Sequence, residues 1–498
     1  MLRPYAQVLL CCFLFSGTSS HAENQKECRL INIGSRRELF VDRHLIDTMT
    51  NCRLQLHQPR NEGIVLRFDK PYEGPFAGYT TIICDGNLLR MYYRGTFETS
   101  QEGGTKEHTC YAESKDGINW TKPELGLFEF NGSTANNIVL SDLPGVTHNF
   151  TPFLDTNPDT PASERFKGVG GIDTGLHALV SADGLHWKKM QDKAFLSSVE
   201  VQLRNTHLFD SQNLAFWSES EQCYVCYFRV SDGFRRIGRT TSTDFRTWTP
   251  AVLMKQIHND GQHGPHPAPE EHLYTNQTSA YFRAPHLYVA TAARFFPGRQ
   301  VVSNRQAKKL NVNPGYYQDT SDSVFMTSRG GNVYDRTFLE GFLKPGIGLG
   351  NWVSRANYPA LNVVQTGPTE MSLYVNHHYA QPTAHLKRYS MRLDGFASVR
   401  ATAVAGEFVT RLLTFSGRSL RINFATSAAG DVRFELQDSS GKTLPGFALD
   451  DCTEIIGNEI SRVVHWKSGS DLSALAGQPL RLKCSLKDAD LFALQFGN

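Results

Sequence analysis

A seven-residue pattern, Ser-x-Asp-x-x-x-Trp, recurs along the chain and limits the folds that it can form. Three copies occupy residues 114–120, 181–187 and 242–248 and contain half of the six tryptophans. A degenerate fourth copy, residues 328–334, keeps the serine, has Gly330 in place of the aspartate and ends on Tyr334. Successive copies start 67, 61 and 86 residues apart. Repeats of this length are typical of β-propellers, in which each repeat forms one blade.

Each copy has the chemistry of a tight turn that carries a large ring. Serine and aspartate side chains hydrogen-bond a turn's backbone, and the ring can pack between neighbouring sheets, so a structural role is predicted for these aspartates. Runs with strand character, such as YTTIICDGNLLRMYYRG, lie between the copies. Blade starts near Gly78, His148, Asp210, Glu271 and Glu370 predict five blades.

The pattern changes near residue 400, where the long periods stop. From Phe415 onward, apolar and polar residues alternate between glycine turns, which is typical of a β-sandwich. Helical periodicity is scarce, and 41 glycines with 22 prolines supply many turns. The chain is therefore predicted to be all-β. A five-bladed β-propeller, the candidate catalytic domain, is predicted over residues 35–400, and a C-terminal β-sandwich over residues 401–498.

The first 22 residues have the layout of a signal peptide. Arg3 precedes an apolar run from Val8 to Phe15, and small residues follow up to Ala22. No later segment approaches ~20 continuous apolar residues, so no membrane anchor is expected after cleavage. Lysine plus arginine total 51 and aspartate plus glutamate 49, which argues against nucleic acid as a partner. A secreted or periplasmic protein is expected.

These features together resemble the invertase-like and arabinanase-like glycoside hydrolases, families 32 and 43. The phrases ELFVDRHLI, RMYYRG and MRLDGFASV also resemble uncharacterised exported bacterial proteins that are family-32-like. The resemblance implies three carboxylates at the starts of innermost strands, converging on the propeller axis. Glycosidic cleavage needs one carboxyl group to protonate the leaving oxygen while another assists attack at the anomeric carbon.

Two carboxylates match the motifs of these families. Asp210, in FDSQN, resembles the transition-state stabiliser, although an aspartate that caps a loop is the alternative. Glu271, in EEHLY, resembles the general acid; the cysteine and proline expected after it are missing, and a solvated acidic turn is the alternative. The first motif is absent, so the third carboxylate stays open among Glu73, Asp42 and Glu370.

Other polar residues near strand ends are candidates for substrate binding. They are His148, Asn149, Arg94, Arg229, Arg283 and His377. An arginine at such a place could hold a sulfate or a uronate bidentately, and a structural salt bridge is the alternative. The histidine-rich loop 258–266 has no zinc-site spacing. No metal and no cofactor is therefore predicted.

The resemblance implies a secreted glycoside hydrolase that acts on an extracellular polysaccharide or oligosaccharide through carboxylates in the central pocket. Two other functions stay open. One is a non-catalytic glycan-binding propeller, and the other is a polysaccharide lyase acting on uronate-containing glycans through a tyrosine or histidine. The expected partner is a carbohydrate in each case, while the sugar, the linkage and the oligomeric state are left open.

Overall fold

The computed structural model describes residues 30–96, 107–199, 201 and 208–497. The predicted signal peptide, residues 1–22, lies outside them. Strands dominate these ranges; the other elements are one six-residue α-helix and three 3₁₀ turns, at Ala162–Glu164, Leu349–Asn351 and Ser473–Leu475. Within the described ranges, no helix is long and apolar enough to cross a membrane. The all-β prediction is confirmed.

Five short strands come first in the chain. They are β1 (Ile31–Gly34), β2 (Arg37–Leu39), β3 (Ile46–Thr50), β4 (Cys52–Leu56) and β5 (Arg60–Arg67). Their partners are distant in sequence: β1 to β4 pair with strands near the C-terminus, and β5 pairs with a strand at residues 385–392. The N-terminal segment therefore joins the two ends of the fold.

Three antiparallel sheets follow, each built from consecutive strands. The first contains β6 (Gly78–Asp85), β7 (Leu88–Thr96), β8 (Glu107–Ser114) and β9 (Ile138–Leu140). The second contains β10 (Thr151–Leu154), β11 (Phe166–Ile172), β12 (Gly175–Ser181), β13 (Lys188–Lys189) and β14 (Leu196–Ser197). The third contains β15 (Leu214–Ser218), β16 (Cys223–Ser231), β17 (Arg235–Ser242) and β18 (Val252–Leu253).

The fourth sheet is larger and carries the helix as an insertion. Its elements are β19 (Lys255–His258), β20 (His266–Pro267), β21 (His272–Thr275), β22 (Thr278–Tyr281), β23 (Ala284–Phe296), α1 (Asn304–Lys309), β24 (Thr320–Ser328) and β25 (Val333–Asp335). The Ser303 side chain caps α1 by accepting a hydrogen bond from the Gln306 backbone N–H, and the Gln306 side-chain oxygen accepts one from the Ser303 backbone N–H.

A composite sheet follows these four. It contains β26 (Tyr358–Pro359), β27 (Val364–Gln365), β28 (Glu370–His377) and β29 (His385–Arg392), and β5 supplies its outer strand. The chain thus forms a propeller-like arrangement with four blades of consecutive strands, not the five predicted. The prediction assumed that every blade is continuous in sequence, whereas β5 and β29 meet from opposite ends of the arrangement.

Five of the last six strands belong to one eight-stranded sheet. They are β30 (Ala397–Ala401), β31 (Gly406–Thr410), β33 (Ser419–Gln437), β34 (Asn458–Val463) and β35 (Arg481–Gly497). The sixth, β32 (Leu413–Phe415), pairs with β1 outside this sheet. The sheet also includes β2, β3 and β4. A separate C-terminal β-sandwich is therefore not confirmed, and the predicted domain limits stay a prediction.

The repeated turns join neighbouring sheets. In the second copy, Ser181 Oγ accepts a hydrogen bond from the Gly184 backbone at 2.9 Å, and Trp187 Nε1 donates to the Gly184 carbonyl at 3.0 Å. Each ring then contacts a neighbouring sheet, which for Trp120 is the composite sheet and for the others is the sheet before them in the chain. The centroid distances are: Trp120 to Tyr374, 5.7 Å; Trp187 to Tyr92, 6.3 Å; Trp248 to Phe195, 4.9 Å; Tyr334 to Tyr227, 6.0 Å. The rings therefore pack between sheets, as the repeat predicts.

A buried ion cluster connects β2 to the fourth sheet. The Glu38 side chain is fully buried, accepts a hydrogen bond from Arg329 Nη1 at 2.8 Å, and lies 3.0 Å from His286 Nε2. Burial alone would raise the pKa of Glu38, but His286 and Arg329 outweigh it and lower the pKa to about 2. The ionised carboxylate therefore stabilises the folded state.

The contact of Trp187 with the first sheet predicts a stability effect. Trp187→Ala should lower the free energy of unfolding by about 3 kcal/mol, because the indole packs on Tyr92 and Phe150. Trp187→Phe keeps a ring and loses only the Nε1 hydrogen bond, so about 1 kcal/mol is expected. Urea unfolding measures both values, and equal losses for the two variants would contradict the packing role.

The Glu38 cluster predicts a pH dependence. Because the folded-state pKa lies below the usual value of 4.5, its contribution is present above pH 4.5 and is lost as the pH falls toward 2. Glu38→Gln should remove about 3 kcal/mol of this acid-sensitive stability. Denaturant unfolding between pH 7 and pH 2 measures it. Glu407→Gln, which breaks the exposed pair with Lys483, should keep the wild-type slope.

Candidate functional site

The first strands of four sheets, β6, β10, β15 and β26, and strand β22 of the fourth sheet lie side by side. A residue with left-handed backbone lies within five residues of each start: Tyr79 (φ 51°), Asn149 (48°), Phe209 (62°), Gln277 (47°) and Asn357 (69°). Such backbone costs about 1–3 kcal/mol per non-glycine residue and is concentrated at functional sites. Beneath them, Gln277 Nε2 donates to Gln212 Oε1 at 2.7 Å, and Gln212 Nε2 donates to Thr81 Oγ1 at 3.0 Å.

Asp210 is the carboxylate at this meeting point. Its side chain is 38% exposed, and Oδ1 lies 3.8 Å from His148 Nε2. Arg229 Nη1 donates to the Asp210 backbone carbonyl at 3.1 Å. Burial raises the pKa of Asp210, but His148 and the charge of Arg229 outweigh it and hold the pKa below its usual value. Asp210 is therefore ionised at neutral pH.

A hydrogen-bonded chain of buried groups holds His148. Glu107 Oε2 lies 2.7 Å from His148 Nδ1, and Asn149 Nδ2 lies 2.8 Å from His148 Nε2. Arg94 Nη1 donates to Asn149 Oδ1 at 2.9 Å and lies 3.4 Å from Glu107 Oε1. Because arginine can only donate, the oxygen of Asn149 must face Arg94, and its NH₂ group then faces His148.

The neighbours of His148 favour different protonation states of its ring: the carboxylates favour the protonated form and Asn149 favours the neutral form. Burial lowers the pKa of the imidazole, but the carboxylates of Asp210 and Glu107 outweigh burial and raise it above the usual value. The Asn149 NH₂ group instead needs a lone pair on Nε2, which the neutral ring provides. A proton on Nε2 would exchange the Asn149 hydrogen bond for the contact with Asp210. His148 is therefore placed to gain and lose a proton.

Arginine side chains surround the ring of Tyr274, on the other side of Asp210. The guanidinium carbons of Arg229, Arg235 and Arg355 lie 4.6, 5.1 and 5.2 Å from its centroid. Arg355 also lies over Tyr316, at 5.1 Å. Burial raises the pKa of Tyr274 well above its usual value, so the phenol stays neutral. We call Tyr274 with these three arginines the arginine–tyrosine group.

Five of the eleven predicted site residues come together here: Asp210, His148, Asn149, Arg94 and Arg229. Glu271 has other contacts, because its two carboxylate oxygens each bind an arginine, Arg294 and Arg336, both at 2.7 Å. This ion pairing leaves neither oxygen free to carry a proton toward a substrate. A general-acid role for Glu271 stays a prediction that none of its contacts supports.

The three alternatives for the third carboxylate form ion pairs away from Asp210. The pairs are Glu73 with Lys122 at 2.7 Å, Glu370 with Arg388 at 2.8 Å, and Asp42 with Arg329 at 3.0 Å. The Glu73 side chain is fully buried and also accepts a hydrogen bond from Tyr93. Their catalytic roles stay predictions, and the contacts of each match the structural alternative.

The last two predicted binding residues are also in other environments. Arg283 lies 3.3 Å from the buried Asp394. His377 is buried between Asn351 and Tyr389, and burial lowers its pKa well below the usual value. A binding role for Arg283 or His377 stays a prediction without a contact to the Asp210 cluster. Among the residues that the structure describes, no group of three or more His, Cys, Asp or Glu side chains could hold a metal ion.

The sequence analysis missed Glu107 and most of the arginine–tyrosine group. One signal for Glu107 was available: Arg94 follows the apolar run Met91–Tyr93 of β7 and needs a partner if it is buried, and the next strand, β8, begins with Glu107. Arg235, Tyr274 and Arg355 come from three separate segments, and no local pattern relates them.

Comparisons with known proteins give distant structural matches only. No family model and no curated protein matches the chain. Similar solved structures include a glycoside hydrolase, with TM-score 0.46, 12% identity, and coverage of 67% of this chain and 92% of that chain. A glycoside hydrolase family 43 arabinoxylan arabinofuranohydrolase from Bacillus subtilis has TM-score 0.40 and 10% identity, covering 86% and 96%. A fructofuranosidase from Schwanniomyces occidentalis has TM-score 0.38 and 10% identity, covering 88% and 97%.

The Glu107 contact predicts a change in the titration of His148. Glu107→Gln removes one of the two carboxylates that raise the pKa of His148. That pKa should fall, because burial lowers it and only Asp210 is left to raise it. Glu113→Gln changes a carboxylate on the same strand that bonds Tyr111 instead, and should leave His148 unchanged. NMR titration of the imidazole measures both. An unchanged His148 pKa in Glu107→Gln would contradict the described contact.

Proposed function

We propose that this chain is an exported glycoside hydrolase and that Asp210 is its catalytic carboxylate. The observation that carries the proposal is the position of Asp210 where the first strands of the sheets meet. Its side chain is partly exposed and its pKa is lowered, whereas the other predicted carboxylates are bound in ion pairs. An ionised carboxylate next to a bound sugar can activate a water molecule or stabilise positive charge at the anomeric carbon.

His148 is the group best suited to supply the proton. Cleavage works when neighbouring titratable groups have pKa values shifted in opposite directions, one group ionised and one protonated. The pKa of Asp210 is lowered and that of His148 is raised, and the two groups are 3.8 Å apart. At this distance both groups lie on the same side of the glycosidic bond. In this proposal His148 donates a proton to the leaving oxygen while Asp210 stabilises positive charge at the anomeric carbon, and the water that attacks this carbon returns a proton to His148.

One observation favours a second candidate function, β-elimination from a uronate. A lyase needs cationic groups that neutralise the sugar carboxylate, together with a base. The arginine–tyrosine group provides the cationic groups, and His148, next to Asp210, provides the base. The two reactions give different products, because elimination leaves an unsaturated uronate and hydrolysis does not.

Asp210→Asn tests the hydrolase directly. Loss of the ionised carboxylate should lower kcat by about 10²–10⁴-fold, because the amide cannot act as a base or carry negative charge. The assay is reducing-end release from neutral, sulfated and uronate-containing polysaccharides. Asp244→Asn, in a repeated turn of the third sheet, keeps the Oδ1 acceptor and should retain wild-type activity.

The products separate the competing functions. Reducing ends without unsaturated uronate absorbance, lost in Asp210→Asn, support hydrolysis. Reducing ends that appear together with this absorbance would show elimination, and the proposed function would then be that of a lyase. Binding of a glycan by the wild type without release of any ends would leave a non-catalytic glycan-binding protein. Full activity in Asp210→Asn would contradict the role of Asp210 whatever the products are.

A further inference from the structure

Two arginines of the arginine–tyrosine group, Arg229 and Arg235, form no direct ion pair, although the charge of Arg229 acts on Asp210 from a longer distance. Within the ranges that the structure describes, no carboxylate lies within 4 Å of the guanidinium of Arg229 or Arg235. Arg229 is 4% exposed, and its hydrogen bonds are donated to the carbonyl oxygens of Asp210 and Tyr274. The Arg235 guanidinium lies over the rings of Tyr274 and Phe295, and its hydrogen-bond contact is with His272 Nδ1, at 3.4 Å. The Nε atoms of both arginines are buried and have no hydrogen-bond partner.

Such a pair is unfavourable unless something neutralises it. A charge removed from water is costly when no opposite charge compensates it, and two cations on the same ring repel each other. The face of Tyr274 replaces only part of the lost hydration. Water could complete the hydrogen bonds of the two Nε atoms, but it carries no charge. The single carboxylate of Asp210 offsets at most one of the two positive charges. The arrangement is therefore completed best by an anion.

We propose that Arg229 and Arg235, on the ring of Tyr274, bind an anionic oxygen group of an acidic glycan. A uronate carboxylate and a sulfate ester share the required chemistry, since a planar guanidinium binds either one through two parallel hydrogen bonds. The inference rests on the proposed function only in taking the ligand to be a glycan. It adds the substrate class, which is acidic.

The position of this subsite relates it to the reaction. Arg229 Nη1 donates to the backbone carbonyls of Asp210, at 3.1 Å, and Tyr274, at 3.5 Å. An anionic group held there lies beside the carboxylate that is proposed to act on the glycosidic bond. A neutral glycan would leave at least one of the two positive charges unbalanced, so the site should discriminate by charge as well as by shape.

The test measures binding to the Asp210→Asn protein, so that turnover cannot interfere. Isothermal titration calorimetry compares an oligogalacturonate, a sulfated galactan oligosaccharide and a neutral galactan oligosaccharide. Adding Arg235→Gln should weaken binding of an acidic ligand by about 10- to 100-fold and leave the neutral one unchanged. The matched control is Arg236→Gln, because the neighbouring Arg236 is already paired with Asp232 and Glu270.

Arg235→Lys protects the test against misfolding. It keeps the charge but not the bidentate geometry, so it should bind an acidic ligand with an affinity between those of the parent protein and Arg235→Gln. Tightest binding of the oligogalacturonate identifies a carboxylate subsite, and tightest binding of the sulfated ligand identifies a sulfate subsite. Equal affinity for acidic and neutral ligands, or equal effects of Arg235→Gln and Arg236→Gln, would overturn the inference.

The inference and the proposed function fail separately. Wild-type cleavage of neutral glycans, with no preference for acidic ones, would support the hydrolase and contradict the acidic subsite. Charge-dependent binding without release of any reducing ends would support the acidic subsite and contradict the hydrolase.

Discussion

Four aromatic rings hold neighbouring sheets together, and the position of the candidate site depends on them. Each ring is carried by one sheet and packs on a neighbouring sheet. The four rings are Trp120, Trp187, Trp248 and Tyr334. This packing sets where neighbouring sheets lie, and therefore where their first strands start. Asp210, His148 and Tyr79 lie at three of those starts and belong to one polar cluster only because the sheets are held in that order.

The sequence predicts what depends on local chemistry and misses what depends on distant pairing. Serine, aspartate and an aromatic ring at a fixed spacing define a turn, so the repeat indicates the propeller-like arrangement. The pairing of β5 with β29 joins segments more than 300 residues apart, for example Arg67 with His385. No local sequence pattern predicts such a pairing. The same holds for β2, which pairs with β35 inside the C-terminal sheet.

The candidate site divides in the same way. Asp210, His148 and Asn149 were predicted because they lie at blade starts, which the repeat period locates. Glu271 also lies near a blade start, yet Arg294 and Arg336 bind its carboxylate, and their approach depends on how the fourth sheet folds. Clusters such as the arginine–tyrosine group form from separate segments, so they become visible only in three dimensions.

An ionised carboxylate, an imidazole held by a buried glutamate, and Arg229 with Arg235, which form no direct ion pair, support the proposed binding and cleavage of an acidic glycan. The most direct measurement is a crystal structure of Asp210→Asn with an oligogalacturonate. The account predicts a sugar carboxylate on Arg229 and Arg235, with a glycosidic oxygen within hydrogen-bond reach of residue 210 or His148. An oligosaccharide bound only elsewhere, such as the cleft lined by Asp42, Arg43 and Asp335, would contradict it.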